Sequence, residues 1–175
     1  MNSNLIIGNL CTLLAMGSNA LSTTRKNVKG ILLLQSLSQL IYCVSAVVLG
    51  GYSAAVQNVV SIVRNFAAIR NIKSKFLEWA LVILGVVLGI IFNNRGLMGL
   101  LPVVGNLQYT LAIFRFRDNE RILKLSFLIS SVMFVIFNIT LYNFVGAASD
   151  LVVTVTTIAV LLKAAGRKTD TEDHQ

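Results

Sequence analysis

Residues Ser53 to Arg70 read SAAVQNVVSIVRNFAAIR. As an α-helix rising ~1.5 Å per residue, this stretch spans about 27 Å, close to the ~30 Å hydrocarbon core of a bilayer. It is not apolar all round. Gln57, Ser61 and Arg64 recur at i, i+4 and i+7, with Asn58 and Asn65 beside them. That spacing gathers the polar groups into one stripe. An arginine held in lipid costs from ~3 to more than ~10 kcal/mol, so the stripe must face other helices or a wet cavity.

The rest of the chain is apolar enough to make that environment. Of 175 residues, 55% are hydrophobic and 13% charged, about half the charge of an ordinary soluble domain. Mean hydropathy is +0.77. Seven apolar runs follow one another, at 3–22, 30–50, 53–70, 78–94, 97–114, 123–143 and 145–163. Their loops are too short to hold a soluble domain. The expected fold is an all-α membrane protein of seven transmembrane helices forming one domain over residues 1–163. A polar cytoplasmic tail, 164–175, is expected to be disordered. The first run has no basic residue before it, so it reads as a retained helix rather than a cleaved signal.

A pI near 9.9 suits a nucleic-acid binder, but the placement of the charges argues against one. Arg25, Lys26 and Lys29 follow the first run. Arg70, Lys73 and Lys75 follow the third, and Arg115, Arg117, Arg121 and Lys124 the fifth. Lys163, Arg167 and Lys168 end the seventh. The intervening turns hold only Arg95. The positive-inside rule then puts the N-terminus outside and the C-terminus in the cytoplasm.

The chain also resembles itself. At an offset of 93, Ala54-Ala55 lies over Ala147-Ala148, Gln57 over Asp150, Ser61 over Thr154 and Arg64 over Thr157. Near an offset of 97, Gly8-Asn9-Leu10 lies over Gly105-Asn106-Leu107. The fourth run is left over. This predicts two parallel three-helix repeats, about 3–70 and 97–163, joined by a linker helix, 78–94.

Two resemblances rest on these features. A three-one-three chain with parallel triplets looks like the SWEET sugar facilitators and the PnuC vitamin transporters. In length and in the run QNVVSIVRN, residues 57–65, the chain resembles the YgjV family of bacterial inner-membrane proteins. The first resemblance implies facilitated passage of a small polar solute by alternating access. It also implies solute contacts from the third helix of each triplet, here Gln57, Asn58 and Asp150. The chain departs from the sugar facilitators in having a single proline, Pro102, and no Pro-Gln pair. It departs from the vitamin carriers in lacking an aromatic-rich site, since its only tryptophan, Trp79, reads as an interfacial anchor.

The candidate substrate-binding residues are therefore Gln57, Asn58, Ser61, Arg64, Asp150 and Thr154, with the repeat-matched pair Asn9 and Asn106. Asp150 is the only acid inside the spans, and Gln57 is expected to face it across the repeat axis at one depth. Arg64 reads as a gate, a solute anchor or a residue snorkelling to the headgroups. Gln35, Gln39, Gln108 and Asn138 read as hydrogen-bonding glue between helices. Gly85 and Gly89 form a GxxxG, which permits close packing within the chain or a homo-oligomer. Cys11 and Cys43 read as apolar fillers rather than a disulfide or metal pair. The spans lack histidine and every catalytic or metal motif, so neither an enzyme nor a metal or cofactor site is expected.

The expected function is facilitative transport of a small polar metabolite, of the vitamin, nucleoside or sugar class, across the bacterial inner membrane. The competing reading is a non-transporting assembly or accessory protein whose polar residues only pack helices.

Overall fold

The structure, a computed structural model, describes residues 3–23, 28–72, 74–116 and 119–172, with side chains undescribed at 22–23, 28, 31, 120, 160 and 163–172. Seven α-helices follow in order: α1 (Ser3–Thr23), α2 (Val28–Val48), α3 (Tyr52–Ile69), α4 (Lys75–Ile91), α5 (Leu101–Arg115), α6 (Glu120–Thr140) and α7 (Phe144–Glu172). A short 3-10 segment, Gly96–Leu100, leads into α5. Each apolar run became a helix.

The boundaries moved where caps act. α4 begins at Lys75 because Ser74 Oγ accepts from the Leu77 amide at 3.4 Å. α6 begins at Glu120 because Asn119 Oδ1 accepts from the Ile122 amide at 3.1 Å. The tail expected to be disordered instead continues α7 to Glu172. Ala164, Ala165, Arg167 and Lys168 are good helix formers, and no proline stops the helix. Its 29 residues reach about 43 Å, more than a hydrocarbon core requires. Arg25, Lys26, Lys73, Arg117 and His174 lie outside the described residues.

The interior is polar and the exterior apolar. Thr12, Ser38, Ser45, Ser53, Gln57 and Thr110 are almost wholly buried, while Leu14, Ile91 and Leu162 are about two-thirds exposed. Dozens of large aliphatic and aromatic side chains share that outer surface. Water does not tolerate such a surface over a whole protein; lipid does. Three stretches, Ser3–Leu21, Gly96–Arg115 and Arg121–Thr140, are each long and apolar enough to cross a membrane. Leu32–Val48 and Phe144–Ala159 are shorter apolar stretches. α3 misses that composition because of its polar stripe, and α4 is only 17 residues long.

The helices close a ring. α1 packs on α2, α2 on α3, α3 on α5, α5 on α6, α6 on α7, and α7 returns to α1. α4 lies against both α3 and α5. Small residues bring α1 and α2 together: Thr12 Oγ1 and Ser45 Oγ are 2.7 Å apart, and both lie within hydrogen-bond distance of the Gly8 carbonyl. The turns at one end of the ring share a geometry. After α2, Gly50 takes a φ of 73° and the Gly51 amide donates to the Ala46 carbonyl. After α6, Tyr142 takes a φ of 56° and the Asn143 amide donates to the Asn138 carbonyl. Both are Schellman closures, which satisfy carbonyls left free at a helix end. Beneath them Phe137 and Leu141 pack with Ala46, Leu49, Ala54 and Ala55 into an apolar plug.

Candidate functional site: a polar cavity inside the ring

The ring encloses a cavity of about 170 Å3 between the apolar plug and Arg64. α2, α3, α5, α6 and α7 all contribute to its wall. Of the eight residues proposed from sequence, Gln57, Asn58, Ser61, Arg64, Asn106 and Asp150 line it. Thr154 and Asn9 do not.

The α3 stripe meets α5 rather than α7. Gln57 Nε2 donates to the Gly85 carbonyl of α4 at 2.8 Å, and Gln57 Oε1 accepts from Asn106 Nδ2 at 2.8 Å. Asn106 Oδ1 in turn accepts from Ser61 Oγ and from Arg64 Nη1, each at 3.2 Å. Arg64 Nη1 also donates to Thr110 Oγ1 at 3.1 Å. The guanidinium stands 5.3 Å from the centroid of the Tyr109 ring, a cation–π approach. One bonded network therefore joins α3, α4 and α5. Gln57 was expected to face Asp150 across the axis; both line the cavity, and the Gln57 amide bonds Gly85 and Asn106. Asn58 beside it lines the cavity with no hydrogen bond among the described residues.

Arg64 does not snorkel. It is 7% exposed, and its Nε is buried without a partner. Among the described residues the only ion pair is Arg115 with Glu78, at 3.4 Å, so Arg64 has no carboxylate in contact. It also lines a second, wider cleft, between the end of α3, the start of α4 and the end of α5, where the Arg115 guanidinium lies 5.4 Å from the centroid of the Trp79 ring. The arginine is thus part of both walls.

Asp150 sits on another side of the cavity. Its Oδ2 accepts from Asn138 Nδ2 at 2.8 Å, and Asn138 Oδ1 accepts from Asn143 Nδ2 at 3.0 Å. Thr154, one turn on, returns its hydroxyl to the Asp150 carbonyl within α7 and offers nothing to the cavity. Asn9 leaves the site altogether. Its Nδ2 donates to the Tyr142 carbonyl and its Oδ1 accepts from the Val145 amide, fastening α1 to the start of α7.

Gly85 and Gly89 face inward. Gly85 abuts Gln57 and Val60, and a Cβ on Gly89 would lie 2.6 Å from Val103 Cγ2. The GxxxG face is occupied by α3 and α5 of the same chain, because a polar stripe on α3 needs close backbone from α4. It is not free for the expected homo-oligomer contact. Cys11 and Cys43 are both free thiols.

Sequence reasoning missed most of the α6 wall. Ser130, Ser131 and Phe134 line the cavity with Asn138, as do Tyr42 and Gln39 of α2. The signal was there: Ser126, Ser130, Phe134 and Asn138 recur every four residues, but without a charge to draw notice.

A family model described as a bacterial inner membrane protein, Imp-YgjV, matches residues 6–168. The chain belongs to the YgjV family. No curated protein and no solved structure matches it. The inside-out surface of this YgjV chain is what membership of a bacterial inner-membrane family requires. The match runs from α1 into the last turns of α7 and so covers every residue lining the cavity.

Proposed function

We propose that this YgjV-family protein is a facilitative transporter of a small polar solute across the bacterial inner membrane. Its seven helices then all cross the bilayer, N-terminus outside, as two parallel triplets with α4 as linker. The observation that carries this reading is a polar cavity inside a closed six-helix ring. The order α1-α2-α3-α5-α6-α7 is unchanged when the triplets are exchanged by half a turn. The matching Schellman closures at Gly50 and Tyr142, 92 residues apart, agree with that exchange.

Alternating access works at the two seams between the triplets, α3–α5 and α7–α1. Each seam is fastened by an asparagine, Asn106 at one and Asn9 at the other. These are the two positions that the internal repeat pairs. Opening one seam while the other holds exposes the cavity to one side of the membrane. Asn58 and Asp150 touch the solute, while Gln57 and Asn106 hold the wall. The likeness to SWEET and PnuC transporters lies in this three-one-three plan and not in their proline or aromatic motifs.

The competing reading, a non-transporting assembly protein, draws on one observation: the Gln57 amide bonds other helices of the chain through both its nitrogen and its oxygen. Uptake by proteoliposomes separates the two. A panel of sugars, nucleosides, vitamins and amino acids is offered to vesicles holding the wild type, Asn58→Ala or Asp150→Asn. Uptake of one class, reduced about tenfold or more in the folded variants, equivalent to about 1.4 kcal/mol, supports transport. Vesicles that take up nothing beyond the protein-free leak would favour the assembly protein.

A further inference from the structure

The cavity wall holds one guanidinium and one carboxylate, and the two are not paired with each other. Arg64 spends Nη1 on two neutral oxygens, leaves Nε without a partner and has no acid in contact. Asp150 takes a single described side-chain bond, from the neutral amide of Asn138. Neutral dipoles compensate a buried charge only in part, and a full counter-charge repays far more of the desolvation penalty. The two groups are set apart along the ring as well. Arg64 lies thirteen residues into α3 and Asp150 seven into α7, and the equivalent turns Gly50 and Tyr142 precede these helices. At ~1.5 Å per residue the difference in depth is about 9 Å at the backbone, which Arg64 narrows by reaching back to Asn106, the partner of Gln57. An occupant can therefore lie between them.

We infer that the occupant is a small zwitterion, its carboxylate held by Arg64 and its ammonium by Asp150. This rests on the transport reading and narrows it. Guanidinium presents a planar fork of N–H donors that fits a carboxylate. Asp150 keeps one oxygen beyond its bond to Asn138, and Asn58 adds an open amide to the cavity wall. A singly charged solute leaves one of the two wall charges unanswered, and a neutral sugar leaves both. The volume agrees: about 170 Å3 is many times the ~10–15 Å3 that a single water needs, enough for an amino acid with few side-chain atoms. Tyr109 and Phe134 offer apolar surface for the carbon chain between the charges.

The test measures binding to the purified full-length protein in detergent, by calorimetry and by ligand-induced thermal stabilisation. The probes are glycine, β-alanine and 4-aminobutyrate, with propionate, propylamine and glycerol as partners lacking one or both charges. At least one zwitterion is expected to bind about tenfold or more tightly than every uncharged or singly charged probe. Asp150→Asn is expected to erase the advantage of that zwitterion over propionate, and Arg64→Gln its advantage over propylamine. If Arg64→Gln does not fold, Asp150→Asn carries the test alone. Propionate or glycerol binding as tightly as the best zwitterion would overturn the inference, as would a folded wild type that binds no zwitterion. In that last case, uptake of a neutral solute by proteoliposomes leaves transport standing and removes only the zwitterion.

Discussion

Asn106 Nδ2 and Gln57 Oε1 lie 2.8 Å apart, and through that bond α5 is fastened to the middle of α3. The same asparagine accepts from Ser61 and Arg64 on its other side. Asn106→Leu therefore strands a buried amide oxygen and a hydroxyl, and leaves Arg64 Nη1 with Thr110 alone. Unsatisfied buried groups cost ~1–3 kcal/mol each, and more when charged. The variant is expected to lose at least about 3 kcal/mol in detergent unfolding. The double variant Arg64→Met, Asn106→Leu should lose less than the sum of the two single changes, because the stranded charge is gone. Additive losses would mean that the two side chains do not interact.

The two glycines of α4 are not equivalent. A Cβ on Gly85 meets nothing nearer than 3.5 Å, an ordinary contact. A Cβ on Gly89 would come within 2.7 Å of Gln57 Nε2 and 2.6 Å of Val103 Cγ2. Gly85→Ala is expected to leave stability unchanged or to raise it, through better helix propensity, by up to ~1 kcal/mol. Gly89→Ala should cost ~1–3 kcal/mol through overpacking. Neither should alter the mass of the particle in detergent. A change of mass in either variant would return this face to the surface.

Arg95 is the single base expected on the outer side, and its guanidinium is put to use there. Nε donates to the Gly50 carbonyl at 3.1 Å and Nη2 to the Leu49 carbonyl at 2.9 Å. It closes the C-terminal end of α2, where a positive charge is favoured by the helix dipole. Arg95→Ala should lower stability by about 1–2 kcal/mol, reduced from the buried value by its exposure. Arg95→Lys keeps the charge but not the fork, and should recover less than half of that loss in thermal unfolding. Full recovery by lysine would reduce the role of Arg95 to charge alone.

The helices were legible because most apolar runs are bounded by charge or glycine, and the caps at Ser74 and Asn119 and the 3-10 turn Gly96–Leu100 moved the starts of α4, α6 and α5. The stripe on α3 announced that Gln57, Ser61 and Arg64 are turned inward, since lipid forbids the alternative. It did not announce their partner. Nothing local to α3 selects Asn106, 42 residues beyond Arg64, over Asp150. That choice is made by the ring, which seats α5 beside α3 and sends α7 round to α1. The serine and aromatic wall of α6 went unread for the opposite reason. Serines bury inside a membrane helix by bonding their own backbone, so their presence alone does not mark a cavity. The repeat paired Asn9 with Asn106, yet only Asn106 reaches the cavity. The other is drawn to the exposed turn before α7.

The turns after α2 and α6 invite a paired experiment. Both require a residue in the left-handed region, and the chain supplies Gly50 at one and Tyr142 at the other. A residue with a Cβ costs ~1–2 kcal/mol there, while glycine takes the conformation freely. Gly50→Ala should thus cost about 1 kcal/mol, and Tyr142→Gly should gain a similar amount, less whatever the edge contact of Tyr142 with Phe144 contributes. That contact, at 6.3 Å between centroids on an exposed pair, is worth less than the strain. Thermal unfolding of the two variants beside the wild type decides the matter. A destabilising Tyr142→Gly would mean that the aromatic pair, and not the backbone, dictates the residue at that turn.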